Sequence, residues 1–138
     1  MSRSPQDVAH AVKRLQMRHH RAMTAELAEL DISLVQWDAL RHLDENPEAS
    51  LHDLALLTFQ SDQAFGTLAG RMIGRGLIER VPGPGRAVRH RLTALGVELR
   101  WAGAEVAARV AAESFSVFSS EELERFDGML RVLIEGRG

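Results

Sequence analysis

The stretch "GRGLIERVPGPGRAVRHRLT", Gly74 to Thr93, decides how the chain is read. Leu77-Ile78-Glu79-Arg80-Val81 and Ala87-Val88-Arg89-His90-Arg91-Leu92 both alternate with the period of a strand. The "PGPG" between them can only be a turn, because proline fixes φ and glycine supplies the positive φ that tight turns require. The two segments therefore form a β-hairpin, with Val88, His90 and Leu92 on one face and Ala87, Arg89 and Arg91 on the other. Pro82 and Pro84 lack the N–H that a ladder uses, so pairing is expected to stop near Val81. A stiff tip then projects beyond the sheet with Arg86 at its end.

Upstream of the hairpin the period is that of helices. Ser61 is placed to cap a helix whose inner face is Ala64 or Phe65, Leu68, Ala69 and Met72, with Gly76 as a left-handed residue closing it. Ser50 with Asp53 three residues on starts a helix of about two turns carrying Leu51, Leu54 and Leu57, and "TFQS" separates the pair. Two short helices joined by a tight turn are a helix-turn-helix. Before them, apolar residues spaced by three and four mark a long helix from Pro5 to about Leu30 and a shorter one from Leu34 through Trp37, Leu40 and Leu43. After the hairpin, Thr93 caps a helix carrying Leu95, Leu99, Ala102, Val106 and Val110 to about Phe118. Ser119 with Glu122 is a capping box for the last, with Leu123, Phe126, Leu130, Leu133 and Ile134 as its stripe. The expected fold is mainly α: about six helices with a small β-hairpin wing, a winged helix-turn-helix in a single domain, 1–138.

Bulk properties narrow the function. The chain has 138 residues and no cysteine, which closes disulfides, thiolate metal sites and thiol nucleophiles. The six histidines show no ligand spacing, so no metal is expected, and no cofactor either. Nucleophile elbow and phosphate-binding glycine loop are both missing, which argues against an enzyme. Neither a signal peptide nor a run long enough to cross a membrane is present, so a cytoplasmic protein without membrane contact is expected. The net charge is only −2, but it is unevenly spread. Residues 71–100 hold seven arginines against two acids, whereas residues 31–70 hold one basic residue against seven acids. A basic block on a hairpin behind a helix pair is the electrostatic footprint of a polyanion binder. The helix Ser61 to Arg75 would lie in the major groove of double-stranded DNA, and the thin hairpin tip would reach a minor groove only about 6 Å wide.

From Leu34 to about Leu99 the chain resembles the MarR family of bacterial transcriptional regulators. The resemblance rests on "VQWDALRHL", "SLHDLALL", "RMIGRGLIER" and, above all, "GRAVRHRLTALG". It implies a homodimer on a pseudo-palindromic operator, with residues 1–30 and 95–138 as dimerisation helices and 31–94 as the DNA-binding lobe. Most relatives repress, and a small aromatic or anionic effector relieves them. Arg86 corresponds to the wing arginine that enters the minor groove. Asp62, Gln63, Gly66 and Thr67 correspond to groove-facing positions of the recognition helix, Ser61 is placed to cap it and approach a phosphate, Arg71 lies further along it, and Arg89 and Arg91 are phosphate candidates. Pro84 departs from the family, which usually has there an acid paired with the wing arginine. Trp37, Trp101 and His19 are candidates for an effector pocket, although Trp37 shares the apolar stripe of Leu34 and Leu40 and reads first as core. Two rival readings stand beside this one: a winged-helix protein-interaction module without DNA binding, and a small enzyme.

Overall fold

The computed structural model describes residues 2–83, 85 and 88–136; Pro84, Arg86 and Ala87, and with them the expectations for the hairpin tip, lie outside the described residues. The elements run α1 Pro5–Glu29, α2 Leu34–Glu45, α3 Leu51–Leu57, α4 Asp62–Gly74, β1 Ile78–Pro82, β2 Val88–Leu92, α5 Ala94–Ser114 and α6 Ser120–Glu135.

Every helix begins at a hydroxyl. Ser4, Ser33, Ser50, Ser61, Thr93 and Ser119 sit in extended backbone and accept the N–H of the residue three places on. Asp7, Gln36, Asp53 and Glu122 complete capping boxes by accepting the cap residue's own N–H in return. A cap of this kind stabilises a helix by about 1 kcal/mol, which matters most for the seven-residue α3. Gly76 closes α4 at φ +73°, the left-handed conformation expected of it.

Four boundaries or faces differ from the sequence reading. Strand pairing runs one residue past Val81, with Pro82 opposite Val88. A two-stranded hairpin has only edge strands, so alternate N–H groups point outward and proline is tolerated there. The fifth helix stops at Ser114 rather than near Phe118, because Phe115 and Phe118 turn inward to meet Phe126 of α6, with ring centroids 5.7–6.4 Å apart. The early stripe of α1 is not buried within the chain: Val8 and Val12 are exposed, whereas Met23 and Leu27 are in the core. Likewise α6 buries no residue, and Met129, Leu133 and Ile134 lie open to solvent.

The core forms where α1 (its second half), α2, α4 and α5 converge on β1. Leu27, Leu40, Leu54, Met72 and Leu77 are sealed from solvent there. The antiparallel hairpin keeps the register Ile78 with Leu92, Arg80 with His90 and Val81 with Arg89. Its base is fixed at one point. Thr93 Oγ1 donates to the Gly76 carbonyl at 2.5 Å, and Thr93 N–H donates to the Leu77 carbonyl at 3.1 Å. Gly96, the glycine of "LTALG", lies against that carbonyl so closely that a Cβ would sit 2.0 Å from the Leu77 oxygen. Backbone atoms cannot give way as a side chain tip can, so Gly96→Ala is expected to lower stability by about 1–3 kcal/mol, read as a fall in thermal midpoint.

Candidate nucleic-acid interface

The helix-turn-helix is held in place from both ends. Leu54 and Ala55 of α3 and Phe65, Ala69 and Met72 of α4 bury their side chains in the common core, which leaves the opposite face of α4 outward. At the far end, Arg75 donates to Gln36 Oε1 at 3.0 Å and to both the backbone carbonyl and the carboxylate of Asp31. The C-terminus of α4 is thereby tied to the turn between α1 and α2.

The outward face carries Gln63, Thr67, Gly70, Arg71 and Gly74, all exposed, and the half-buried Gly66. Ser61, exposed beside them, spends its hydroxyl on the Ala64 N–H. Thr67 Oγ1 donates back to the Gln63 carbonyl at 3.1 Å. The Gln63 amide and the Arg71 guanidinium have no protein partner among the described residues. A Cβ built on Gly66, Gly70 or Gly74 meets nothing within 4 Å, so no internal packing requires glycine at these three places. Asp62 is not free: its Oδ1 lies 2.8 Å from Nδ1 of His52 on α3. That hydrogen bond first, the Asp62 charge second and Asp53 to a smaller degree hold the His52 pKa above the usual imidazole value. Asp53, in turn, is held below the usual carboxylate range chiefly by the Ser50 N–H and hydroxyl.

The hairpin distributes its arginines unequally. Arg91 is spent on its cross-strand neighbour, with Nε 2.6 Å from Glu79 Oε1. Arg89 is half-buried, and its Nε has no hydrogen-bond partner among the described residues. His90 on the inner face is buried, and desolvation, with Arg80 adding to it, pushes its pKa down, so the imidazole is neutral. A cleft of about 290 Å³ separates the hairpin and α4, bounded by Leu51, Gly66, Gly70, Ile73, Arg80 and His90.

The three effector candidates fall into two places. Trp37 is buried, and its Nε1 donates to the Arg100 carbonyl at 3.0 Å. Its indole occupies the space that a side chain at Gly103 would fill. Trp101 is 56% exposed with the Arg100 guanidinium 4.2 Å over its ring. His19 bonds to Ser114 Oγ at 2.6 Å and meets the Phe115 ring edge-on. Ser114 is thirteen residues beyond Trp101, about 20 Å along α5, so His19 belongs to the other end of that helix. Among the described residues no group of acids and histidines could hold a metal ion, and no helix is long and apolar enough to cross a membrane.

Sequence reasoning missed four residues here. Arg75 was passed over inside "GRGL". His52 was weighed only as a metal ligand, whereas its partner lies ten residues away across the turn. Arg100, 7% exposed, bridges to Asp44 at 2.9 Å and Glu45 at 3.4 Å, joining the start of α5 to the end of α2. Phe59 in the helix-turn-helix turn is 97% exposed and held at φ +57°, a conformation in which an exposed aromatic is unusual. Only the turn-like "TFQS" hinted at it.

Two amphipathic helices, the second presenting an open polar face, followed by an antiparallel hairpin packed at its base, define a winged helix-turn-helix. Residues 30–87 match the model of the MarR family. The HTH-type transcriptional repressor IacR of Pseudomonas putida is 25% identical over 122 residues, covering 87% of this chain and 73% of its own length. A mutant MarR from E. coli complexed with operator DNA superposes with a TM-score of 0.81 at 17% identity, over 91% of this chain and 92% of its own. A Mycobacterium tuberculosis MarR family protein in complex with salicylic acid superposes with a TM-score of 0.75 at 22% identity, over 96% and 97%. At these identities the two structures speak for the fold.

Because nothing occupies the space beside Gly66, Gly66→Ala is expected to raise stability by about 0.5–1 kcal/mol through helix propensity, seen as a higher urea midpoint with an unchanged m-value.

Proposed function

We propose that the protein is a sequence-specific DNA-binding transcription regulator that acts as a homodimer on a pseudo-palindromic operator and represses. Each subunit places α4 in the major groove and the hairpin tip in the adjacent minor groove. The observation that carries this reading is the open face of α4, with Gly74 on it and Gly66 and Gly70 along its edge beside the hairpin cleft. Three glycines without an internal packing reason let the helix backbone come unusually close to another surface, and Gln63, Thr67 and Arg71 beside them are suited to base edges and phosphates. Ser61 and the first turn of α4 would lie against a phosphate, where N–H groups and the helix dipole favour negative charge. Arg86 is assigned the minor-groove contact on the family resemblance, with Arg89 beside it. Arg91 reaches a phosphate only by exchanging Glu79, so it contributes less. The operator complex of the E. coli relative supports this docking.

The homodimer is proposed from surfaces the monomer leaves open. Val8 and Val12 on α1 and Met129, Val132, Leu133 and Ile134 on α6 are apolar and uncovered, and a two-fold interface would bury them together. Lys13, Arg14, Arg18 and Arg21 line the outer face of α1, while α6 begins with Glu121, Glu122, Glu124 and Asp127, so the two helices also complement each other in charge. An aromatic or anionic effector is proposed beside Trp101 and Arg100, with Trp37 behind them. The salicylic acid complex of the mycobacterial relative supports that chemistry. His19, at the other end of α5, would serve a separate part of such a site.

A second reading has its own observations: the acidic surplus of residues 31–70 and the exposed Phe59 and Leu56 suit a protein partner. Titrating duplex DNA at two salt concentrations separates the readings. A regulator's log affinity falls with log salt by about 0.9 per phosphate contact, whereas no binding at low salt to any fragment, its own promoter included, leaves the interaction module. Within the DNA reading, Arg86→Ala is expected to reduce the magnitude of that slope by about 0.9 per subunit, with the dimer intact by sedimentation. Gly66→Ala is expected to weaken DNA binding while stabilising the fold. Equal DNA affinity in this variant would remove close backbone approach as the reason for the glycine.

A further inference from the structure

We propose that His52 is a positioning residue that masks Asp62 with a proton, so that DNA binding by this chain takes up a proton at the start of each recognition helix. The inference rests on the DNA-binding reading above.

Asp62 is the first residue of α4 and sits next to the Ser61 cap, where a phosphate would approach the helix N-terminus. An ionised carboxylate at that place satisfies the helix dipole in the free protein and repels a polyanion. His52 comes from the other helix of the motif and meets Asp62 Oδ1 at 2.8 Å, with both side chains about two-thirds exposed. When the imidazole is protonated, Nδ1–H donates to Oδ1 and the pair is neutral. When it is neutral, the pair carries a full negative charge on the DNA-facing surface. A single proton therefore decides whether the DNA first meets a neutral pair or a net negative charge.

The surroundings strengthen the assignment. Besides Asp62, the charged group acting on His52 is Asp53 on its own helix, itself bound to the Ser50 cap, and the charge of Arg89 on β2 reaches Asp53. Both acids favour the protonated imidazole, and so would phosphates brought close by binding. The sign follows from linkage: His52 titrates above its ordinary value in the free protein and higher again on DNA. Affinity is therefore greatest below the free-protein value and falls as pH rises through the interval between the two. The buried His90 is a poor rival for this effect, since its pKa is pushed down and it lies on the inner face of the hairpin.

The masking also separates the roles of the two carboxylate oxygens. Oδ1 is occupied by His52, and among the described residues Oδ2 has no side-chain partner, which leaves one acceptor on a neutral pair. That arrangement tolerates phosphates better than a bare aspartate would.

The test measures DNA affinity of the full chain by fluorescence anisotropy from pH 5.5 to 8.5 at fixed ionic strength, for the parent, His52→Gln and Asp62→Asn. A difference of one unit between free and bound pKa changes affinity tenfold per site, so the parent is expected to lose about three- to tenfold per subunit across the range. His52→Gln should bind as weakly as the parent at high pH and lose most of the pH dependence. Asp62→Asn should also lose most of it, but bind at high pH at least as tightly as the parent at low pH. Proton NMR of the free protein supplies a readout independent of DNA, in which the His52 pKa falls toward the ordinary imidazole value in Asp62→Asn. Binding by all three proteins with the same pH profile, or an unmoved His52 pKa, overturns the proposal and leaves the DNA reading intact. Absence of DNA binding by the parent at every pH overturns the DNA reading instead.

Discussion

The structure turns on the contact between Gly96 and the Leu77 carbonyl. At that one place the end of α4, the base of the hairpin and the first turn of α5 are locked together, by Thr93 donating to Gly76 and Leu77 and by a glycine that leaves no room for a methyl group. The geometry of the hairpin relative to α4 depends on this knot. Among the described residues the two strands have only each other to pair with, and a lone hairpin has little stability of its own in water. The short sequence "LTALG" is thus a constraint on the distance between two backbones before it is anything else.

A second fastening joins the two regions of the molecule. Arg100 reaches from α5 to Asp44 and Glu45, which stand at the C-terminal end of α2 where the helix dipole disfavours acids. The same residue receives Trp37 on its carbonyl and covers Trp101 with its guanidinium. Removing it would leave two acids at an unfavourable helix end and uncover an indole, so its contribution is divided among packing, charge and hydrogen bonding. Arg100 thus joins α5 to α2, while Arg75 joins the end of α4 to Asp31 and Gln36 at the start of α2.

Much of this was legible in the sequence because it is written in local terms. The caps at Ser50, Ser61, Thr93 and Ser119 are visible as hydroxyls placed before apolar stripes, and the change of period after Gly76 announces the hairpin. The boundary at Ser114 was missed because alanine-rich sequence continues a helix indifferently, and only the tertiary cluster of Phe115, Phe118 and Phe126 ends it. Arg91 was read as available because alternation gives a side chain's face and not its partner, and Glu79 opposite it depends on hairpin register. His52 was illegible for the same reason, since its partner is set by the angle between α3 and α4. The stripes of α1 and α6 were read correctly as apolar, but periodicity alone does not say whether a stripe faces its own chain or another.

That last distinction gives α6 a physical consequence. Its sixteen residues bury no side chain and meet the rest of the chain chiefly through Phe126. A helix of this length standing alone in water is marginal, whatever its caps contribute. If a second copy of the chain covers Leu133 and Ile134, the order of the C-terminal segment depends on that contact and the melting temperature becomes a function of protein concentration. A dilute solution and a concentrated one would then hold the same sequence in measurably different states of order.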